Sequence, residues 1–253
     1  MRTLVDYQEF LEALIKSFSN SVHFQSSPDL KKIIKENTRM VAVINHATPL
    51  SWVPAMALLA LKVIDAGGGD RKPRGIVDRW FYTNPFTKIL AEYLSQSDHP
   101  QTFEEIVETF GKSEKTDLVI FPEGAYTFFG GVHDVQKFRS SRFVEIAIRC
   151  QAPILIVAHK GSESWSLPLQ LPAEWGNFIL PFSKFFGEKL LKSEPLNVPL
   201  MPQKMDLFSM NCELYWPNLK AADLAQDEET RRQQIEGEGQ LIKNRMNEML
   251  KAL

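Results

Sequence analysis

The sequence predicts a single α/β domain with a mainly parallel central sheet flanked by helices. "MVAVIN", "DLVIF" and "APILIVA" are continuous apolar runs rich in β-branched residues, the pattern of strands buried on both faces. Stretches of helical period lie between them, which implies βαβ crossovers. The 253 residues contain no internal repeat or low-complexity tract and suit one large domain, 1–253.

The elements follow in order. In "LVDYQEFLEALIKSF", Tyr7, Phe10, Leu11, Leu14, Ile15 and Phe18 recur at helical spacing. This stripe either packs on the core or lies on a bilayer. Its polar face, with Asp6, Glu9 and Glu12 against Lys16, matches anionic lipid poorly. A Ser cap before Pro28 starts a short second helix, so residues 1–37 form an N-terminal helical segment.

Residues 38–161 form the βα core. "MVAVIN" ends at Asn45-His46, and the helix "SWVPAMALLALKVID", the loop "GGGDRKPR" and a short strand "GIV" follow. "NPFTKILAEYL" and "QTFEEIVETFGK" are helices, and "DLVIF" ends at Pro122-Glu123-Gly124. The helix "SSRFVEIAIRC" leads to the third buried strand.

Residues 162–253 are an embellished C-terminal part. Prolines among aromatics make "LPLQLPAEWGNFILPFSKFFG" and "LNVPLMPQ" irregular, and "KMDLFSMNCELYW" alternates as a strand at the sheet edge. Ile235, Ile242, Met246, Met249, Leu250 and Leu253 form the stripe of a last helix.

Composition narrows the function. A net charge of −2 and a pI near 6.2 give no basic surface for nucleic acid. Cys150 and Cys212 fit no metal spacing and read as small buried hydrophobes in a reducing compartment. No metal is implied, and His99, His133 and His159 form no ligand pair. Asp6 and Glu9 interrupt what a signal peptide would need as an apolar run. "SWVPAMALLALKVIDAGGG" is too short in apolar residues to span a bilayer, which takes about 20. A cytoplasmic protein, peripheral to the inner face of a membrane, is expected.

Ligand sites in open parallel sheets lie at the carboxyl ends of the strands. His46 and Glu123 both stand just past such ends, and a histidine there suits a general base because its ordinary pKa lies near neutral. Asn45-His46 after one buried strand and Phe121-Pro122-Glu123-Gly124 after another, in this order, resembles the glycerolipid and lysophospholipid acyltransferase family. The resemblance covers roughly residues 40–161. Family members carry Asn-His, four further residues and an Asp, then a Phe-Pro-Glu-Gly block usually followed by Thr-Arg-Ser.

The resemblance implies an acyltransferase-like fold and transfer of a fatty acyl group from acyl-coenzyme A or acyl carrier protein to a hydroxyl of a glycerolipid-like acceptor. Acyl-coenzyme A or acyl carrier protein is a co-substrate, and no cofactor is implied. By the same analogy His46 takes the proton from the acceptor hydroxyl, which attacks the thioester directly. Asn45 and the Phe121–Gly124 block would bind substrate, with Glu123 positioning the acceptor and Gly124 allowing close approach of its backbone. Amides at the start of the helix after His46 would stabilise the oxyanion.

Two departures bear on this. Ser51 stands where the family has Asp, so the imidazole partner carries no charge. Ser51 is also a natural helix N-cap, and Asp78 or Asp134 could substitute as the carboxylate. Loss of such a carboxylate costs about 10⁴-fold in serine-protease triads. Tyr126 stands where phosphate-binding members have Arg, leaving Lys137, Arg139 and Arg142 as nearby cations or as an ordinary solvated helix start. The acceptor then lacks a terminal phosphate: a lysophospholipid, a lyso-aminolipid or an alcohol. A non-catalytic lipid or acyl-carrier binding protein is the rival reading, and a hydrolase a third.

Overall fold

The computed structural model describes residues 2–48, 50–83, 85–124, 127, 134–171 and 196–253, without the side chains of Trp80, Phe86, 166–171 and 196–202. The core is a six-stranded sheet in the order β1-β8-β5-β2-β4-β3. Its centre is β2 (Arg39–Ile44), parallel to β4 (Thr116–Ile120) on one side and to β5 (Ile154–Lys160) on the other. Register pairs Val43 with Ile120 and Ile44 with Val157, so β2 and β4 end together while β5 runs on to Lys160.

Alternation in β2 divides the interior into two halves. Met40, Ala42 and Ile44 face α1 (Gln8–Phe18), α2 (Leu30–Glu36) and α3 (Trp52–Val63). Val41 and Val43 face α5 (Phe103–Lys112), α6 (Arg142–Arg149) and α8 (Glu228–Lys251). Helices therefore cover both faces, and these strands need no polar side. The α1 stripe packs inward through Leu11, Leu14, Ile15 and Phe18, while Phe10 stays 62% exposed. The second helix is capped by Asp29, whose carboxylate accepts the Lys31 N–H at 2.9 Å, in place of the expected serine. α4 (Pro85–Ser95) lies beside β3 (Lys72–Gly75), which sits earlier than the "GIV" expected for that strand.

Two corrections concern the C-terminal part. β8 (Met205–Tyr215) is an interior strand, antiparallel to β5 and parallel to β1 (Ser19–Ser27). The edge on this side is β1, the polar, largely exposed run "SNSVHFQSS", whose weak apolar signal hid it; β3 forms the other edge. "LPLQL" and "LNVPLMP" are paired: β6 (Ser166–Leu171) and β7 (Leu196–Pro202) form an antiparallel ribbon despite their prolines. The stretch "FILPFSKFF" lies outside the described residues.

A four-residue helix, α7 (Ser162–Trp165), follows β5. Among the described residues no helix is long and apolar enough to cross a membrane.

Candidate active site

Level strand ends place Asn45-His46 directly beside Phe121–Gly124. The buried Glu123 carboxylate makes the junction: one oxygen accepts the His46 backbone N–H and the other accepts the Gln136 N–H at 2.6 Å. Burial pushes this carboxyl up to about 8, against the two N–H donors that favour its charged form. Glu123 thus ties together the loops after β2, after β4 and before α6. The Phe121 ring meets the His46 imidazole edge-on at 5.1 Å. Gly124 adopts φ +54°, a left-handed conformation that favours glycine, and its N–H returns to the Phe121 carbonyl at 3.1 Å. Pro122 accepts the Arg139 N–H at 2.7 Å.

The imidazole is oriented by Ser51. The Ser51 hydroxyl donates to the Thr48 carbonyl at 2.8 Å and accepts the Thr48 N–H at 3.1 Å; His46 Nδ1 lies 3.3 Å from the same oxygen. A hydroxyl has one hydrogen and two lone pairs. With the hydrogen held in the shorter bond to Thr48, the remaining lone pair faces Nδ1. That makes Nδ1 the donor and leaves the Nε2 lone pair available. Ser51 occupies the N-cap position of α3 but makes no side-chain capping bond, because its hydroxyl serves this turn instead. Burial, and after it His159, hold the His46 pKa down to about 3, so the imidazole is neutral at ordinary pH.

Asn45 and His159 lock the strand end beneath. The Asn45 amide donates to the His159 carbonyl at 3.2 Å and accepts the His159 N–H at 2.7 Å. His159 Nε2 reaches the Asn45 carbonyl at 2.8 Å and Nδ1 contacts the Ser162 hydroxyl at 3.0 Å. His159 is buried, its pKa lowered by burial to about 4. The sequence assigns His159 no metal-ligand role and does not show this brace. Its signal was a histidine at the end of the strand neighbouring Asn45-His46.

Of the expected cations, Arg139 stays beside the Pro122–Gly124 turn through both its N–H and its side chain. Arg139 pairs with Asp78 at 2.7 Å. Arg142 stacks over Phe103 at 5.5 Å, and Lys137 is exposed. Tyr126 and His133 lie outside the described residues. Asp134 lines the cleft into which His46 opens.

Two cavities adjoin these elements. The cleft at His46, with a volume of about 190 Å³, is lined mostly by polar and charged residues and walled by the strand ends and the end of α8. A larger one, about 350 Å³ and almost wholly apolar, starts at Trp52 and follows α3 past Met56, Ala57 and Val63. α1 and α4 close its side, and the half-exposed rings of Phe10 and Tyr93 stand on its wall. Among the described residues no cluster of metal ligands occurs.

No family model and no curated protein matches the chain. Among solved structures, the 1-acyl-sn-glycerophosphate (LPA) acyltransferase PlsC from Thermotoga maritima is similar over 99% of this chain and 81% of that one. The TM-score is 0.51 and the identity 16%. The similarity is one of fold: this chain is built on the same α/β architecture as an acyltransferase.

Proposed function

We propose that the chain is an acyltransferase, moving a fatty acyl group from acyl-coenzyme A or acyl carrier protein to a hydroxyl of a glycerolipid-like acceptor. The observation that carries this reading is the His46 imidazole, its Nδ1 engaged by Ser51, lining a cleft at the strand ends, with an apolar cavity that begins at Trp52, the residue after Ser51. His46 Nε2 removes the proton of the acceptor hydroxyl as its oxygen attacks the thioester carbonyl carbon. The carbon–sulfur bond then breaks, and the thiolate leaves with the proton from the imidazolium. The positive end of α3 favours the oxyanion. The cavity along α3 takes the acyl chain, and its volume falls within the ordinary range of ligand pockets.

A lipid-binding protein that has lost catalysis is the second reading, favoured by the uncharged partner of His46. Purified protein incubated with labelled acyl donor and lysolipids separates the two. Labelled lipid that falls by about 10²–10⁴-fold in His46→Ala supports catalysis. Donor binding without turnover, in wild type and Ser51→Asp alike, supports the rival.

A further inference from the structure

Resting on the acyl-transfer reading, we propose that the acceptor carries a zwitterionic headgroup, received at the His46 cleft by Asp134, Glu163, Lys160 and Lys251. These four line one space of about 190 Å³ together with the imidazole. They come from four segments: the loop before α6, α7, the end of β5 and the end of α8. Among the described residues none of the four is in an ion pair. Elsewhere on the surface cations sit against carboxylates, as in Lys112–Glu108 and Arg149–Glu104, both at 2.7 Å.

The balance of charge selects the class of headgroup. Two ammoniums and two carboxylates sum to zero around a neutral imidazole. A terminal phosphate would be drawn by the lysines and repelled by the carboxylates. A group holding both an ammonium and an anion finds a partner of opposite charge for each.

The backbone under these side chains is tied down. The Val135 N–H donates to Asn247 Oδ1 at 3.1 Å, which fixes the Asp134 loop to α8. Glu163 Oε2 accepts the Gly161 N–H at 2.7 Å, leaving Oε1 for a ligand.

The ammonium could belong to a phosphoethanolamine or to an amino acid with a free carboxylate; the chemistry met by the cleft is the same. The full chain is assayed with one acyl donor and four lysolipids of equal chain length. Their headgroups are phosphoethanolamine, a free amino acid, a terminal phosphate and none. We expect kcat/KM at least about tenfold higher for the two zwitterions, the size that two or three partly exposed charge pairs supply. Whichever zwitterion leads identifies the source. Asp134→Lys with Glu163→Lys is expected to reverse the ranking toward the phosphate. If that variant does not fold, the wild-type ranking still decides. A wild-type preference for the phosphate-ended or uncharged acceptor overturns the headgroup proposal alone. Transfer to none of the four overturns the acyl-transfer reading and this proposal with it.

Discussion

At position 51 a hydroxyl performs half of what a carboxylate would do. Ser51 holds the His46 tautomer, but it offers no charge to an imidazolium, and burial already disfavours that cation. Ser51→Asp is therefore expected to raise the His46 pKa and to speed turnover by at least about tenfold, a fraction of the 10²–10⁴-fold a positioned acid–base group supplies. A pH–rate profile whose acid limb moves up from near 3 checks the cause. Ser51→Ala should slow the reaction and cost about 1–3 kcal/mol, because the buried Thr48 N–H loses its acceptor; thermal unfolding of the variant measures that cost.

Glu123 yields a prediction of opposite pH sense. Its folded pKa, about 8, lies above the ordinary value of 4.5. Stability from this group is thus fully present below about pH 4.5 and is lost as pH rises through 8. Glu123→Gln does not titrate, so its melting temperature relative to wild type should climb between pH 5 and pH 9. A difference that stays flat across this range would mean that Glu123 is charged throughout.

Among the elements, the turn from β5 into α7 is the tightest joint behind the site. Gly161 has φ +102°, and a Cβ there would collide with the Leu207 carbonyl of β8. Gly161→Ala should destabilise the fold by at least about 1–3 kcal/mol, the cost of a strained backbone before the collision is counted. Denaturant unfolding measures it. Because His159 and Glu163 flank this turn, activity should fall further than stability alone accounts for. The same joint explains a gap in sequence reading. The alternation in "KMDLFSMNCELYW" identifies a strand but says nothing of its neighbours, and β8 became interior only because the polar β1 covers its far side.

For the molecule as a whole, the helical layer of α1, α3 and α4 leaves an apolar space on the sheet where a tightly packed core would be filled. Ala57, fully buried on α3, borders this space. Ala57→Phe is expected to shift donor preference toward shorter acyl chains while leaving the polar cleft unaltered. A chain-length series of acyl donors reads this out. An unchanged series would place the acyl chain elsewhere.

Sequence alone determined the βα core and the position of His46 and Glu123 at strand ends, because buried parallel strands announce themselves as uninterrupted β-branched runs and ligand sites lie where they stop. The identity of Ser51 was equally legible, though not its use: a serine before a helix reads as a cap, and only the folded turn shows its hydroxyl bonded to Thr48 and facing Nδ1. Tertiary structure decided that Glu123 bonds two backbone N–H groups, that Asp78 belongs to Arg139, and that His159 braces Asn45. It also gathered Asp134, Lys160, Glu163 and Lys251 around one cleft. Those pairings join residues as much as 114 positions apart (159 − 45), and periodicity along a chain carries no information about which distant segments the sheet will bring together.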